Sequence, residues 1–532
     1  MNTRKTQKTT NSRLFNKGIL PVAVATAMFG AGVASAADFY LTNSATIDNQ
    51  TGGNATTNYI VNANSTLTTN GTMSVYYGTI DGTSGTDAGG TVTIGGNLTI
   101  HGNIGATNAT SNFTISEWNS LTLASNVSTF NSDNMTLSDN TVLNFGNVTS
   151  GYNRGSSETL TFASNITMGS NSTINVGNGT TLNGNIYGAG TLNVLGNFTS
   201  TGSIGAAQVD GADFITSGLE QINISKGNTF TLNNNATATR MNINGTVTVA
   251  GNITAAVTMG ADGILNLNNE SGDDNAAKVV GAIQSYVAGT AQGTLNINGT
   301  FTTQGAIGQG GKGLAAINLS NSTWANGFTT TFAHNVNATT IQIGTATTQN
   351  NATLQITAGG TTAGVNIAVT GNIIGGGNAT STDNAAGGIF LVSGNATVNG
   401  SIGTSDNILA AIQIEDGTTL TISGADRNIY ANNITMKANN NLLADNATLA
   451  FNGTGTTTVN GVIAGTVGGG EGLIDINTGT VSFKNTVGSA SNYIGGIDVA
   501  DGSTMTTSSN IYANSTIKVR GTLNIDATTG IT

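Results

Sequence analysis

The sequence predicts an all-β chain: a right-handed parallel β-helix, or β-solenoid, drawn out into a rod by tandem repeats. Three observations carry that prediction. Short runs alternate apolar and polar residues with period 2, as in Thr91-Val92-Thr93-Ile94, Thr191-Leu192-Asn193-Val194, Thr294-Leu295-Asn296-Ile297 and Thr419-Leu420-Thr421-Ile422, which is the pattern of a half-buried strand. A glycine-marked unit recurs along the chain. The one proline of the 532 residues is Pro21, near the N-terminus, and proline is excluded from central strands because it cannot donate to a ladder.

The repeat is the most specific of these signals. Segments 90–105, 190–205, 293–308 and 388–403 align without gaps, the second reading GTLNVLGNFTSTGSIG and the third GTLNINGTFTTQGAIG. Each has Gly at its first, seventh, thirteenth and sixteenth positions, and the fifteenth is Ile104, Ile204, Ile307 or Ile402. Their starts are 100, 103 and 95 residues apart, and a diverged fifth copy starting near 472 ends at Val487-Gly488. A second half follows, with Ile317-Asn318-Leu319, Ile412-Gln413-Ile414 and Ile497-Asp498-Val499, and then pieces at 335–343, 428–436 and 510–519, the last two sharing the word NIYAN.

Tandem copies of one supersecondary block are the mark of a solenoid, because a single turn cannot bury its own apolar face. The fixed glycines suit corners, where the backbone takes a positive φ or passes close to a neighbouring turn. Outer-face residues such as Thr302 and Asn296 are expected to tolerate substitution within about 0.5 kcal/mol. With about 4.8 Å per turn and roughly 20 residues per turn, the rod would be on the order of 110 Å long. Parallel crossovers are overwhelmingly right-handed, which sets the expected hand. The alternative is an array of β-sandwich domains, one per repeat.

Residues 1–36 read as a secretory signal peptide. Arg4, Lys5, Lys8, Arg13 and Lys17 make a basic start, an apolar stretch runs from Ile19 to Val33, and Ala34-Ser35-Ala36 supplies the small-residue cleavage site. Export would leave an N-terminus at Ala37 or Asp38. Residues 37–89 are expected to form an N-terminal β cap region and 90–532 the repetitive solenoid, with units starting near 90, 190, 293, 388 and 472. No later stretch approaches the about 20 apolar residues of a spanning helix.

All 26 acidic residues lie after Ala36 but only 10 of the 15 Lys and Arg do, so the exported chain carries −16. That argues against nucleic acid as a partner, since its binding needs Lys and Arg to displace counterions, and against anionic lipid surfaces. Cysteine is absent, so stability owes nothing to disulfides.

No residue of the sequence is expected to be catalytic, cofactor-binding or metal-ligating. His101 and His334 are the two histidines, and an isolated histidine lacks the partners that acid–base work requires. The segment GQGGKG at 308–313 fails as a phosphate loop, having Ala306 and Gly313 where Gly and Ser/Thr are needed. Gly469-Gly470-Glu471-Gly472 is a single imperfect match to a calcium nonapeptide. Asp273-Asp274, with Glu270 nearby, reads as a solvated loop rather than a carboxylate pair for glycoside hydrolysis or calcium. Asn-x-Ser/Thr sites such as Asn97 and Asn197 read as turn and ladder residues, and Trp118 and Trp324 as packing residues.

The words G-x-I-G at 305–308 and 400–403, LAAI-x-I/L at 314–319 and 409–414, and NIYANNI at 428–434, set in an Asn/Thr/Gly-rich body, resemble the rickettsial surface cell antigens. Those are autotransporters of the outer membrane protein A and B type. The resemblance runs from about Gly90 to the end. It implies a passenger displayed at the cell outer membrane surface, acting as adhesin and surface antigen toward a host-cell surface protein. The alternative is a structural surface-layer component contacting neighbouring copies. The family's passengers are exported through a C-terminal translocator barrel. This sequence stops at Thr532 inside repeat-like sequence, so the expectation is that such a barrel belongs to a missing C-terminal part or to a separate protein. The chain is expected not to be an enzyme.

Overall fold

A computed structural model describes residues 38–47, 58–70, 75–84, 89–145, 159–206, 209–210, 213–214, 218–268, 277–320, 327–344, 352–357, 366–376, 387–437, 446–466, 470–526 and 530–532. Residues 1–36, read above as a signal peptide, the acidic group Glu270, Asp273 and Asp274, and Trp324 lie outside the described residues. The described chain is all-β and contains no helix. It divides into two compact units, one ending at Ile174 and one beginning at Asn175.

In the first unit the chain coils so that residues about one turn apart pair in parallel. One ladder carries Leu67, Val92, Phe113, Met135 and Ile166 as successive partners. A second carries Tyr76, Ile100, Leu123 and Phe145. A third carries Tyr59, Ile80, Ile104, Phe130 and Phe162. Walking along the chain from Ile104 through Phe113 and Leu123 to Phe130 visits each ladder once, so one turn comprises three strand positions. The period-2 pattern explains the inside and the outside: Val92 and Ile94 are buried while Thr91 and Thr93 between them face outward. The ladders already run upstream of residue 90, where Ala45–Ile47 pairs with Thr66–Asn70, and that strand with Gly89–Gly95. Phenylalanines stack along the axis, with Phe130 centred 4.2 Å from Phe162 and 5.0 Å from Phe113.

The second unit follows the same rule. Phe198, Phe230, Val247, Leu265, Leu295, Ile317, Ile341 and Ile373 are successive parallel partners. A β-sandwich would stack antiparallel sheets, so this pairing decides for the solenoid. Val209–Asp210 pairs antiparallel with Asp213–Phe214, a short hairpin apart from the parallel ladders. Turns are less uniform than the expected 20 residues. Ladder partners on neighbouring turns lie 17 residues apart at Ala236 and Ile253 but 36 apart at Leu354 and Phe390. The extra residues sit in corner loops such as 308–313 and 404–408, which lengthen a turn without disturbing the ladders.

The repeated glycines do two different jobs. At the sixteenth position Gly105, Gly205, Gly308 and Gly403 have φ of 62°, 68°, 70° and 74°, and Gly488 of the fifth copy has 76°. A Cβ at Gly308 would stand 2.2 Å from the Asn337 carbonyl oxygen of the next turn, and at Gly403 2.1 Å from that of Tyr430. At the thirteenth position φ is ordinary, but a Cβ would strike the preceding turn: Gly305 at 2.0 Å from the Gly281 oxygen, Gly400 at 2.0 Å from that of Gly371. The isoleucine between them is sealed in the core, with Ile104, Ile204, Ile307 and Ile402 all buried. It ladders from turn to turn, Ile283 to Ile307 to Val336 and Ile373 to Ile402 to Ile429.

Candidate functional surface

The parallel ladders place every outward side chain above its counterpart on the next turn, and this produces rows. In the first unit Thr68, Thr93, Thr114, Thr136 and Thr167 form one row across five successive partners. In the second unit Asn175, Asn193, Asn223 and Asn242 are chained, each Nδ2 donating to the Oδ1 of its neighbour at 2.8–2.9 Å. Asn266, Asn296 and Asn318 repeat the arrangement at 2.8 Å. A carboxamide suits such a stack because it carries both a donor and an acceptor at the repeat distance of the sheet.

The corners use asparagine differently. The Asn97 carboxamide oxygen accepts the Ser120 backbone N–H and the Ser120 hydroxyl, both at 2.9 Å. That of Asn197 accepts the Thr229 N–H at 2.9 Å, that of Asn335 the Ala368 N–H at 2.9 Å, and that of Asn395 the Thr419 N–H at 2.9 Å. Each caps a donor of the following turn at the point where the ladder breaks for the corner. The Asn-x-Ser/Thr words at Asn97 and Asn197 are therefore structural, as the sequence suggests.

Ladder asparagines correct one expectation. Asn296 faces outward, yet it donates to Asn266 and accepts from Asn318, so it is a link rather than a free surface position. Replacing it with Ala strands a donor on one neighbour and an acceptor on the other. We expect Asn296→Ala to cost about 1–2 kcal/mol in urea unfolding, while Thr302→Ser stays within about 0.5 kcal/mol.

The other sequence candidates are scattered. His101 lies at a corner, its ring stacked on Tyr77 at 4.6 Å between centroids and its Nδ1 3.2 Å from the Asn126 Oδ1. His334 is exposed in the bend before Asn335. The glycines of 308–313 form a turn, closed by the Lys312 N–H on the Gln309 oxygen at 3.2 Å and followed by the strand Leu314–Ser320. A phosphate loop would lead into a helix instead. Glu471 is buried and its carboxylate accepts the Thr466 N–H and hydroxyl at 2.8 and 2.9 Å, which employs it in closing the local loop. Trp118 departs from its expected packing role. It is 73% exposed, with φ of 66°, at the tip of the turn closed by the Asn119 N–H on Ser116. A sharp four-residue turn leaves no neighbouring chain for the indole to pack on.

A charged row on the last turns was not expected from the sequence. Asp475 and Asp498 are ladder partners, and Asp498 in turn partners Lys518. Lys518 Nζ lies 3.5 Å and Arg520 Nη2 3.1 Å from the Asp498 carboxylate. Beside it is an open cleft of about 330 Å³, lined among others by Leu473, Gly496, Asp498, Thr516 and Lys518. The words Ile474-Asp475-Ile476 and Ile497-Asp498-Val499 carried the signal, since equal motifs one turn apart must stack. Burial raises the hydroxyl pKa of Tyr59 to about 12 and that of Tyr76 well above its usual value, so both phenols stay neutral in physiological solution. Among the described residues no three His, Asp or Glu side chains converge into a metal-binding group. No family model, curated protein or solved structure matches the chain.

Proposed function

We propose that the chain is exported to the surface of a bacterium and works there as an adhesin and surface antigen, touching host cells through its side rather than through a pocket. The observation that carries the reading is the outward rows. Threonines and asparagines repeat at the spacing of the ladder on turn after turn, which gives broad contact area in place of a focused site. The signal-like residues 1–36 and the likeness to rickettsial surface cell antigens support it from the sequence side. In this reading the partners are a host-cell surface protein and an outer-membrane translocator barrel. No catalytic step, cofactor or metal is assigned to the chain.

The test starts from protein stripped from the surface of producing cells. Its N-terminus should read from Ala37 or Asp38, and the purified material should bind host cells saturably. An N-terminus at Met1 removes the export argument. Correct processing with no cell binding, in a protein that dominates the surface by copy number, would replace the adhesin reading with that of a structural coat whose partners are neighbouring copies.

A further inference from the structure

Asp475 and Asp498 occupy equivalent places on consecutive turns, in the strands Glu471–Ile476 and Ile494–Val499, paired in register. Neighbouring strands lie about 4.8 Å apart, so the two carboxyls stand side by side on the outer face. Their surroundings are unequal. Asp498 is held from the following turn by Lys518 and Arg520. Asp475 is met from the preceding turn by Ala450, in the strand Thr448–Phe451, which brings no titratable group. Along its own strand it is flanked by Leu473, and the nearby Asn477 spends its Nδ2 on Asn452 at 2.9 Å. Glu471, at the start of that strand, is turned inward onto Thr466. Among the described residues no Lys or Arg forms an ion pair with Asp475.

We propose that Asp475 and Asp498 form a proton-sharing pair that tightens these two turns as the surroundings acidify. When protonated, Asp475 donates its O–H to the Asp498 carboxylate, which keeps Lys518 and Arg520 on its other side. A charge-assisted bond of this kind is about twice as strong as a neutral one, and it replaces the repulsion of two adjacent anions. Half-burial, and then the charge of Asp498, raise the Asp475 pKa above the ordinary carboxylate value. The sign follows from linkage. A group that holds its proton more firmly in the folded chain contributes stability that is complete below its unfolded pKa and is lost as pH rises through its folded pKa. Acidification from neutrality therefore strengthens this segment.

Hydrogen exchange of the full chain, corrected for the intrinsic pH dependence of exchange, tests the pair. On lowering the pH from about 7 toward the ordinary aspartate range near 4, protection over 471–499 should rise severalfold relative to a distant strand such as Thr229–Leu232. Asp475→Asn, whose amide supplies a permanent donor, should bring the neutral-pH protection to the acid level and flatten the pH response. A wild-type response that is flat or falls with acid would overturn the proposal. So would an Asp475→Asn chain that keeps the wild-type slope. The wild-type measurement stands alone if the variant does not fold.

Discussion

Gly308→Val should destabilise its segment by about 3 kcal/mol or more, the largest single-residue effect expected on the outside of the core. Two costs add. At a φ of 70° a side chain brings the left-handed penalty of about 1–2 kcal/mol. The new Cβ would also stand 2.2 Å from the Asn337 carbonyl oxygen and 2.9 Å from the Gly313 Cα. Both obstacles are backbone, and the Asn337 carbonyl belongs to a ladder strand, so relief requires the neighbouring turn to move, at a further roughly 1–3 kcal/mol. Gly403→Val should behave alike, since it meets the Tyr430 carbonyl at 2.1 Å. Urea unfolding of the variants beside Thr302→Ser, whose position is partly exposed on the outer face, measures the difference. A midpoint shift no larger than that of the serine control would mean the corner tolerates a Cβ.

Phe130→Ala should cost about 3–5 kcal/mol, the usual price of emptying a buried aromatic site. Phe130 is fully buried and lies between Phe162, parallel to it at 4.2 Å and 8°, and Phe113, edge-on at 5.0 Å. Its removal opens a void between Phe113 and Phe162, which ladder hydrogen bonds keep from collapsing. Trp118→Ala offers the contrast, because the larger indole is exposed at a turn tip and its loss should stay within about 0.5 kcal/mol. The measurement is the denaturation midpoint of each variant. Comparable losses from the two would show that the phenylalanine stack is not the core of the first unit.

The architecture was legible because a solenoid writes its geometry locally. Alternation in Thr294-Leu295-Asn296-Ile297 gives strand and buried face together, and the Ile-Gly word gives the corner. Gly105, Gly205, Gly308 and Gly403 all take positive φ, as spacing alone suggested. Turn length was less legible, because a corner loop can grow without changing the ladder, and the expected 20 residues became 17 at one turn and 36 at another. The surface was the least legible part. Whether Asn296 is a free outer residue or a ladder link depends on which residue a turn away stacks on it, and that is Asn266 at 30 residues' distance on one side and Asn318 at 22 on the other. Irregular offsets hide such partners from a fixed-period reading. The row Asp475, Asp498 and Lys518 escaped for the same reason, and the exposed Trp118 because hydrophobicity by itself does not reveal the tip of a turn.

The central claim is that the chain is held together turn upon turn, so that damage at one corner stays near that corner. Hydrogen exchange on Gly308→Val tests it most directly, with Thr302→Ser as the control. The predicted result is lost protection in the strands that stack around the altered corner, Ile283–Ser285, Leu314–Ser320 and Val336–Ile343, with Thr456–Val459 and Thr480–Phe483 unchanged. Equal protection in the two variants, or a uniform loss along the whole second unit, would contradict it.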